Sequence, residues 1–300
     1  MIAVVGSINM DLSVHVPVIP AVGETVLGTS FAQSPGGKGA NQAVAAARLG
    51  SRVAFVGCLG KDAFGDALEQ GLRENGVDTA YIRRTGTCES GIALIQVDRA
   101  GHNNIVVVPG SNFALTEEDL DRAADCFREA SLMMFQLEVP IPVVEAALCR
   151  ARAAGCKTLL NPAPARPLTE KILRCTDILA PNQIELAMLT GLPCESEAEL
   201  EKAAGILRAG GAGLVVVTLG ERGAMLAGPK GVSFYPARKV TAVDTTAAGD
   251  AFLGGLAHGL EQGYTIEEAV RIGQDTAAYA VQKHGAQPSL PTWRELQSQA

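Results

Sequence analysis

Ala242-Val243-Asp244-Thr245-Thr246-Ala247-Ala248-Gly249-Asp250-Ala251-Phe252-Leu253-Gly254-Gly255 changes character halfway along. Its first half has no helical period, whereas Leu253, Leu256 and Leu260 recur at helical spacing, so the segment reads as a loop feeding the N-terminus of a helix. The Asp250 carboxylate falls on that first turn. A helix N-terminus presents unpaired backbone N–H groups and a partial positive charge, and residues as small as Ala247, Ala248 and Gly249 let an anion come close. An Asp beside such a hole can accept a proton from a hydroxyl while the N–H groups hold the charge developing on a transferring phosphoryl group. On spacing alone, Asp250 as an N-cap and glycines that allow close helix packing fit equally well.

The 300-residue chain is 47 % hydrophobic but only 4 % aromatic, so its core has to be built from Ala, Val, Leu and Ile, as in parallel strands covered by helices. By length it fits two domains, or one large α/β domain with an appendage. A net charge of −7 argues against nucleic acid as an electrostatic partner, and an anionic substrate would need local positive groups. Seven cysteines, odd in number and without a C-x-x-C, read as reduced packing thiols rather than a disulfide framework or a zinc site. No apolar run approaches the ~20 residues of a membrane span, and no basic stretch followed by an apolar one opens the chain. The expected location is therefore the cytoplasm, with no membrane partner.

Outward from the late loop, short buried apolar runs alternate with helical stretches. Ile2 to Val5, Ser51 to Gly57, Leu132 to Phe135, Thr158 to Asn161, Asp177 to Ala180 and Leu214 to Thr218 read as buried strands of a doubly wound, mostly parallel α/β sheet. Ala224 to Ala227 and Val232 to Tyr235 read as edge strands. Thr116-Glu117-Glu118-Asp119 predicts a cap before one helix reaching about Ala130. Ligands of such sheets bind at the carboxyl ends of the strands, where Asn9 and Asp11 follow the first strand. A carboxylate accepting from two neighbouring hydroxyls suits a sugar, and the same residues also suit an ordinary polar turn. No G-x-G-x-x-G follows that strand, which weighs against a dinucleotide-dependent dehydrogenase.

Two regions alternate apolar and polar residues instead: Leu12 to Pro17, and Gly91 to Val97 joined as a hairpin to Ile105 to Val108. They predict a small sheet, from about 12–33 and 88–109, hinged as a water-excluding lid over the sugar end, with an apolar face that could pair two copies. Between them, Gly36-Gly37-Lys38-Gly39-Ala40-Asn41-Gln42-Ala43 superficially suggests a P-loop, but Lys38 is followed by glycine and the upstream glycine is misplaced.

Asp244 to Asp250 resembles the D-T-x-G/A-A-G-D signature of the ribokinase-like (phosphofructokinase B type) carbohydrate kinases, and Gly36 to Ala43 resembles that family's first signature. The likeness covers nearly the whole chain, with the motifs in family order. It implies one α/β domain over 1–300 with a small β-sheet lid, a pentose such as D-ribose phosphorylated by ATP at its primary O5, and a homodimer formed through the lid. It implies Asp250 as general base, with Ala247, Ala248 and Gly249 completing the anion hole, and a sugar held by Asn9, Asp11, Gly37, Lys38, Gly39, Asn41, Glu138 and Asp250. Asn182-Gln183-Ile184-Glu185 matches the family's N-x-x-E motif, whose Asn and Glu hold magnesium-bound phosphate through water; the same pair reads as a capping box. Thr218-Leu219-Gly220-Glu221-Arg222-Gly223 resembles the nucleotide loop, implying Thr218, Gly220, Arg222 and Gly223 at ATP together with Gly249, and with Gln274 beside adenine where relatives often carry His or Asn. An activating K⁺ or similar cation is implied at Asp244, Thr246, Ala280, Lys283, Gly285 and Ser289, several through backbone carbonyls. The same architecture serves deoxyribose, fructose, ketodeoxygluconate and nucleosides. A non-catalytic sugar-binding regulator could keep the fold, but would have no reason to keep Asp250, Asn182 and Glu185 together.

Overall fold

A computed structural model of the chain describes residues 1–298. Its strands are β1 (Ile2–Val5), β2 (Asn9–His15), β3 (Ser30–Gly36), β4 (Val53–Gly60), β5 (Val77–Thr85), β6 (Gly91–Val97), β7 (Asn103–Val108), β8 (Leu132–Phe135), β9 (Lys157–Leu160), β10 (Ile178–Leu179), β11 (Leu214–Thr218), β12 (Ala224–Gly228) and β13 (Gly231–Tyr235). Its helices are α1 (Lys38–Arg48), α2 (Ala63–Glu74), α3 (Glu117–Arg122), α4 (Ala124–Glu129), α5 (Ile141–Ala153), α6 (Glu170–Arg174), α7 (Gln183–Thr190), α8 (Glu197–Ala209), α9 (Ala248–Glu261), α10 (Ile266–Ala280) and α11 (Trp293–Gln297).

Nine strands form one sheet in the order β13-β12-β11-β10-β9-β8-β1-β4-β5, parallel from β11 to β5 and antiparallel at the β11-β12-β13 edge. Successive strand side chains point to opposite faces. Ala3 and Val5 therefore join the core under α5 and α8, while Ile2 and Val4 join the core under α1, α9 and α10. Both faces are covered, so the strands are apolar throughout rather than alternating. α9 is seated by Phe252, Leu253 and Leu256, each at most 3 % exposed, and each such burial contributes about 1.5–3 kcal/mol. Gly254 lets α1 come close, since a Cβ there would stand 2.3 Å from that of Ala45. That part of the packing reading of the glycines holds, and it fixes where the α9 N-terminus points.

The alternating regions form a separate four-stranded sheet, β3-β2-β6-β7, with β2 parallel to β6 and antiparallel to β3. Two strands escaped the sequence reading. β3 is polar and contains Pro35, which suits only an edge strand. β5 carries Asp78, Arg83 and Arg84 because it lies at the other edge of the large sheet, with one flank to solvent. The single helix expected from Thr116 to about Ala130 is two short ones that break at Ala123 (φ −91°, ψ 15°), where no glycine or proline marks the turn.

Candidate active site

The loop meets α9 at Ala247, whose φ of 59° and ψ of 16° lie in the left-handed region. Among the described residues it is the one non-glycine with positive φ, a conformation that costs an L-residue roughly 1–2 kcal/mol. Ala247 is the N-cap and supplies no side-chain cap, so Asp250 is the third helical residue and not the cap. The first α-helical bond runs from Ala251 N–H to Ala247 O (2.8 Å), which leaves the Gly249 and Asp250 N–H groups ahead of the ladder. The Asp250 carboxylate is 7 % exposed and is gripped at both oxygens. Oδ1 accepts from Gln42 Nε2 at 2.9 Å and Oδ2 from Asn41 Nδ2 at 3.0 Å. Strain and an unfilled terminus coincide at one point, a combination that suits anion binding.

The early polar residues converge on this point from the carboxyl ends of β1 and β8. Glu138 Oε2 accepts from the Ser7 hydroxyl and from Lys38 N–H (3.1 Å), tying the two ends together. Gly37 holds the entry to α1 at φ 88°, where a Cβ would stand 2.8 Å from Asn9 N. Asn9 Oδ1 accepts from Asn112 Nδ2 at 2.7 Å, so its own amide N–H groups remain as donors. Burial pushes the Asp11 carboxyl up to about 7, with Glu138 and Asp250 adding to the rise and Lys38 opposing it. Asp250 raises the Lys38 ammonium above its ordinary value, burial opposes, and Glu138, Glu185 and Asp11 add to the rise. One lysine thus sits in the field of four carboxylates.

A cleft of about 200 Å³ opens at the α9 terminus and is lined by Lys38, Asn182, Glu185, Thr218, Ala247 to Asp250 and, from the strand ends, Asn161 and Ala180. Asn182 and Glu185 cap each other: Asn182 Oδ1 accepts from Glu185 N–H at 2.8 Å and Glu185 Oε2 from Asn182 N–H at 2.8 Å. The capping reading and a place at the cleft hold together. Burial raises the Glu185 carboxyl. A larger cavity, about 720 Å³, lies at the opposite, amino ends of β9, β10 and β11, beside Lys157 and Ile178. It gathers none of the residues above.

The pfkB family carbohydrate kinase profile matches residues 1–293. The chain belongs to this family. It is 39 % identical over 294 residues to a ribokinase of Haemophilus influenzae, covering 98 % of this chain and 96 % of that one. It is 38 % identical over 292 residues to a deoxyribokinase of Salmonella typhi, covering 97 % of this chain and 95 % of the relative. The structure of Arabidopsis thaliana ribokinase complexed with ribose and ATP superposes with a TM-score of 0.94 at 32 % identity, covering 99 % of this chain and 97 % of that one.

Other residues of this carbohydrate kinase fall into three groups. Asp244 bridges the loop before α9 to the loop after α10, with Oδ1 accepting from Thr246 N–H (2.9 Å) and Oδ2 from Gly285 N–H (2.8 Å). Ser289 is buried and donates to Ala286 O at 2.8 Å, Ala280 O accepts from Lys283 N–H at 3.1 Å, and the Lys283 ammonium turns to the Tyr279 hydroxyl at 2.6 Å. Oxygen donors of this kind suit a hard cation. In the second group, Gly220 (φ 58°) and Gly223 (φ 99°) shape the turn after β11. Arg222 donates to Gln183 Oε1 (2.8 Å) and to Glu195 O (3.1 Å), and Gln274 Nε2 donates to Tyr235 O at 2.7 Å. The third group was not singled out in the sequence: Asn161, Thr245, Ser7, Asn112 and Gln136 line or brace the site. For Asn161 the signal was its position just past a strand's carboxyl end.

Proposed function

We propose that the protein transfers the γ-phosphoryl group of ATP to O5 of D-ribose, giving ribose 5-phosphate. The observation that carries this reading is the meeting of the Asp250 carboxylate, the open N–H groups of α9 and Lys38 at one cleft. The sugar lies toward Asn9, Asp11, Gly37, Lys38, Gly39 and Glu138, where carboxylates and amide donors suit a polyol. Asp250 accepts the proton of the attacking hydroxyl, and the Ala247 to Asp250 N–H groups take up charge on the moving phosphoryl group. Thr218, Gly220, Gly223, Asn182 and Glu185 hold the nucleotide end. Oxygen donors of Asn182 and Glu185 fit water-bridged Mg²⁺, which would neutralise phosphate charge. The Asp244, Thr246, Ala280, Lys283, Gly285 and Ser289 loops fit a monovalent cation that would brace the α9 approach. Asn41 Nδ2 donates to Asp250 Oδ2 at 3.0 Å, which leaves its second N–H for the sugar.

The four-stranded sheet serves as lid. One face of it exposes Phe31, Leu94, Val106 and Val108, and we read this face as the contact of a homodimer, tested by sedimentation equilibrium. Seven free thiols fit a reducing cytoplasm, and among the described residues no helix is long and apolar enough to cross a membrane. Deoxyribose is the second reading, favoured by similarity to the Salmonella typhi deoxyribokinase. Coupled detection of ADP over a panel of ribose, deoxyribose, fructose, ketodeoxygluconate and nucleosides, with and without K⁺, decides between them. Ribose should give the highest kcat/KM. A panel on which another sugar wins overturns the assignment.

A further inference from the structure

The Asp250 carboxylate is held by a run of buried amides whose orientation can be worked out link by link. Asn161 Nδ2 donates to the backbone carbonyl Ala180 O at 3.0 Å, so Asn161 Oδ1 is left to accept. Gln42 Nε2 donates to that Oδ1 at 3.3 Å and to Asp250 Oδ1 at 2.9 Å. Gln42 Oε1 in turn accepts from Gln136 Nε2 at 2.7 Å, which prevents the Gln42 amide from turning its oxygen toward the carboxylate. All three amides are buried, Gln42 and Gln136 completely. The run ends at Gln136 Oε1, a buried acceptor without a partner among the described residues. An unsatisfied buried acceptor is costly, so the residue is better suited to orienting Gln42 than to stabilising the core.

We infer that Gln42, oriented by Gln136 and Asn161, is a positioning residue for phosphoryl transfer: its N–H fixes the Asp250 carboxylate in one rotamer with a lone pair free for the attacking hydroxyl. Gln42 is sealed behind Asp250 and acts through it, never on the sugar. This rests on the reading of Asp250 as the base. Holding a reacting group in place is worth large factors, because small displacements at a reacting centre are expensive in rate.

The test is a double-mutant cycle on the full chain, combining Gln42→Met, of similar length but without the donor, with Asp250→Asn. Alone, Gln42→Met should lower kcat by about 10-fold with the KM for ribose and for ATP changed less than about twofold. In the Asp250→Asn background it should cost less than about twofold more, since the group it positions is gone. Equal losses in both backgrounds, or a loss expressed in the sugar KM, would overturn the positioning role. Wild-type kcat in Asp250→Asn alone would sink the base reading instead, so the two failures are distinct. Thermal unfolding reports whether Gln42→Met is folded. Should it not be, Gln136→Met carries the test, with kcat expected to fall by about threefold at unchanged KM; an unchanged kcat overturns the inference.

Discussion

α7 and α9 aim their N-termini at the same cleft and finish them in opposite ways. At α7, Asn182 and Glu185 satisfy each other's N–H groups, the reciprocal box that also closes α8, α10 and α11. At α9 the cap position is an alanine forced into the left-handed region, with nothing on its side chain to offer. α1, α4 and α5 also lack a side-chain cap, but α9 alone among the described helices starts from a left-handed alanine. The closed end delivers a carboxylate and an amide to the cleft as oxygen donors, and the open end delivers backbone N–H groups. Together they match a phosphate chain with its cation on one side and its charge acceptor on the other.

Breaking the open end should have the largest effect. Asp250→Asn is expected to lower kcat by ~10² or more with the sugar KM within about threefold, measured by steady-state kinetics. A nearly active variant would reduce α9 to a packing helix. Next comes the charge cluster beside it. Asp11, pushed up to about 7 mainly by burial, accepts from sugar hydroxyls when ionised, so kcat/KM for the sugar should fall by up to about tenfold as the pH drops below about 7. Asp11→Asn should flatten that limb. The sign for stability is opposite: the folded pKa is raised above 3.8, so the folded state holds its proton longer and loses stability as the pH rises from about 4 through about 7. Asp11→Asn should therefore melt higher than the parent at pH 8, and an unchanged melting curve would contradict the strained carboxyl.

Breaking the closed end should matter less. Asn182→Ala removes one half of the box and should cost about 1 kcal/mol, a fall of about 2 °C in Tm, together with a higher KM for ATP and little change in kcat. The smallest effect sharpens the contrast. Ala247→Gly relieves the left-handed strain but adds freedom to the unfolded chain, for a net gain of about 0.5–1 kcal/mol, with kcat within about twofold. A destabilised glycine variant would mean that Ala247 is not strained.

Much of this contrast was legible before any coordinates. The switch from aperiodic to helical spacing located the α9 terminus, and continuous apolar runs located the buried strands, because both signals are local. β3 and β5 stayed hidden because edge strands tolerate proline and charge, the features that argue against a strand. Strain at Ala247 has no sequence signature, since left-handed backbone is expected at glycine or asparagine and not at alanine. The Gln42 relay was illegible for another reason: it joins residues 94, 119 and 208 positions apart, and only the folded sheet makes them neighbours. Arg222 was legible as part of a motif, while its bond to Gln183, 39 positions away, was not.

β2 begins at Asn9, carries Asp11, and runs on as an inner strand of the four-stranded sheet between β3 and β6. On the proposed reading of Asp11 and of the lid, the grip on the polyol and the frame of the flap would be one ribbon of backbone, and Asn112, near the root of β7, clasps it at Ile8 and Asn9. Swinging such a flap wide drags the grip with it. Unlatching and letting go of the sugar would then be a single event, and a wedge under the flap would compete with sugar without entering the pocket.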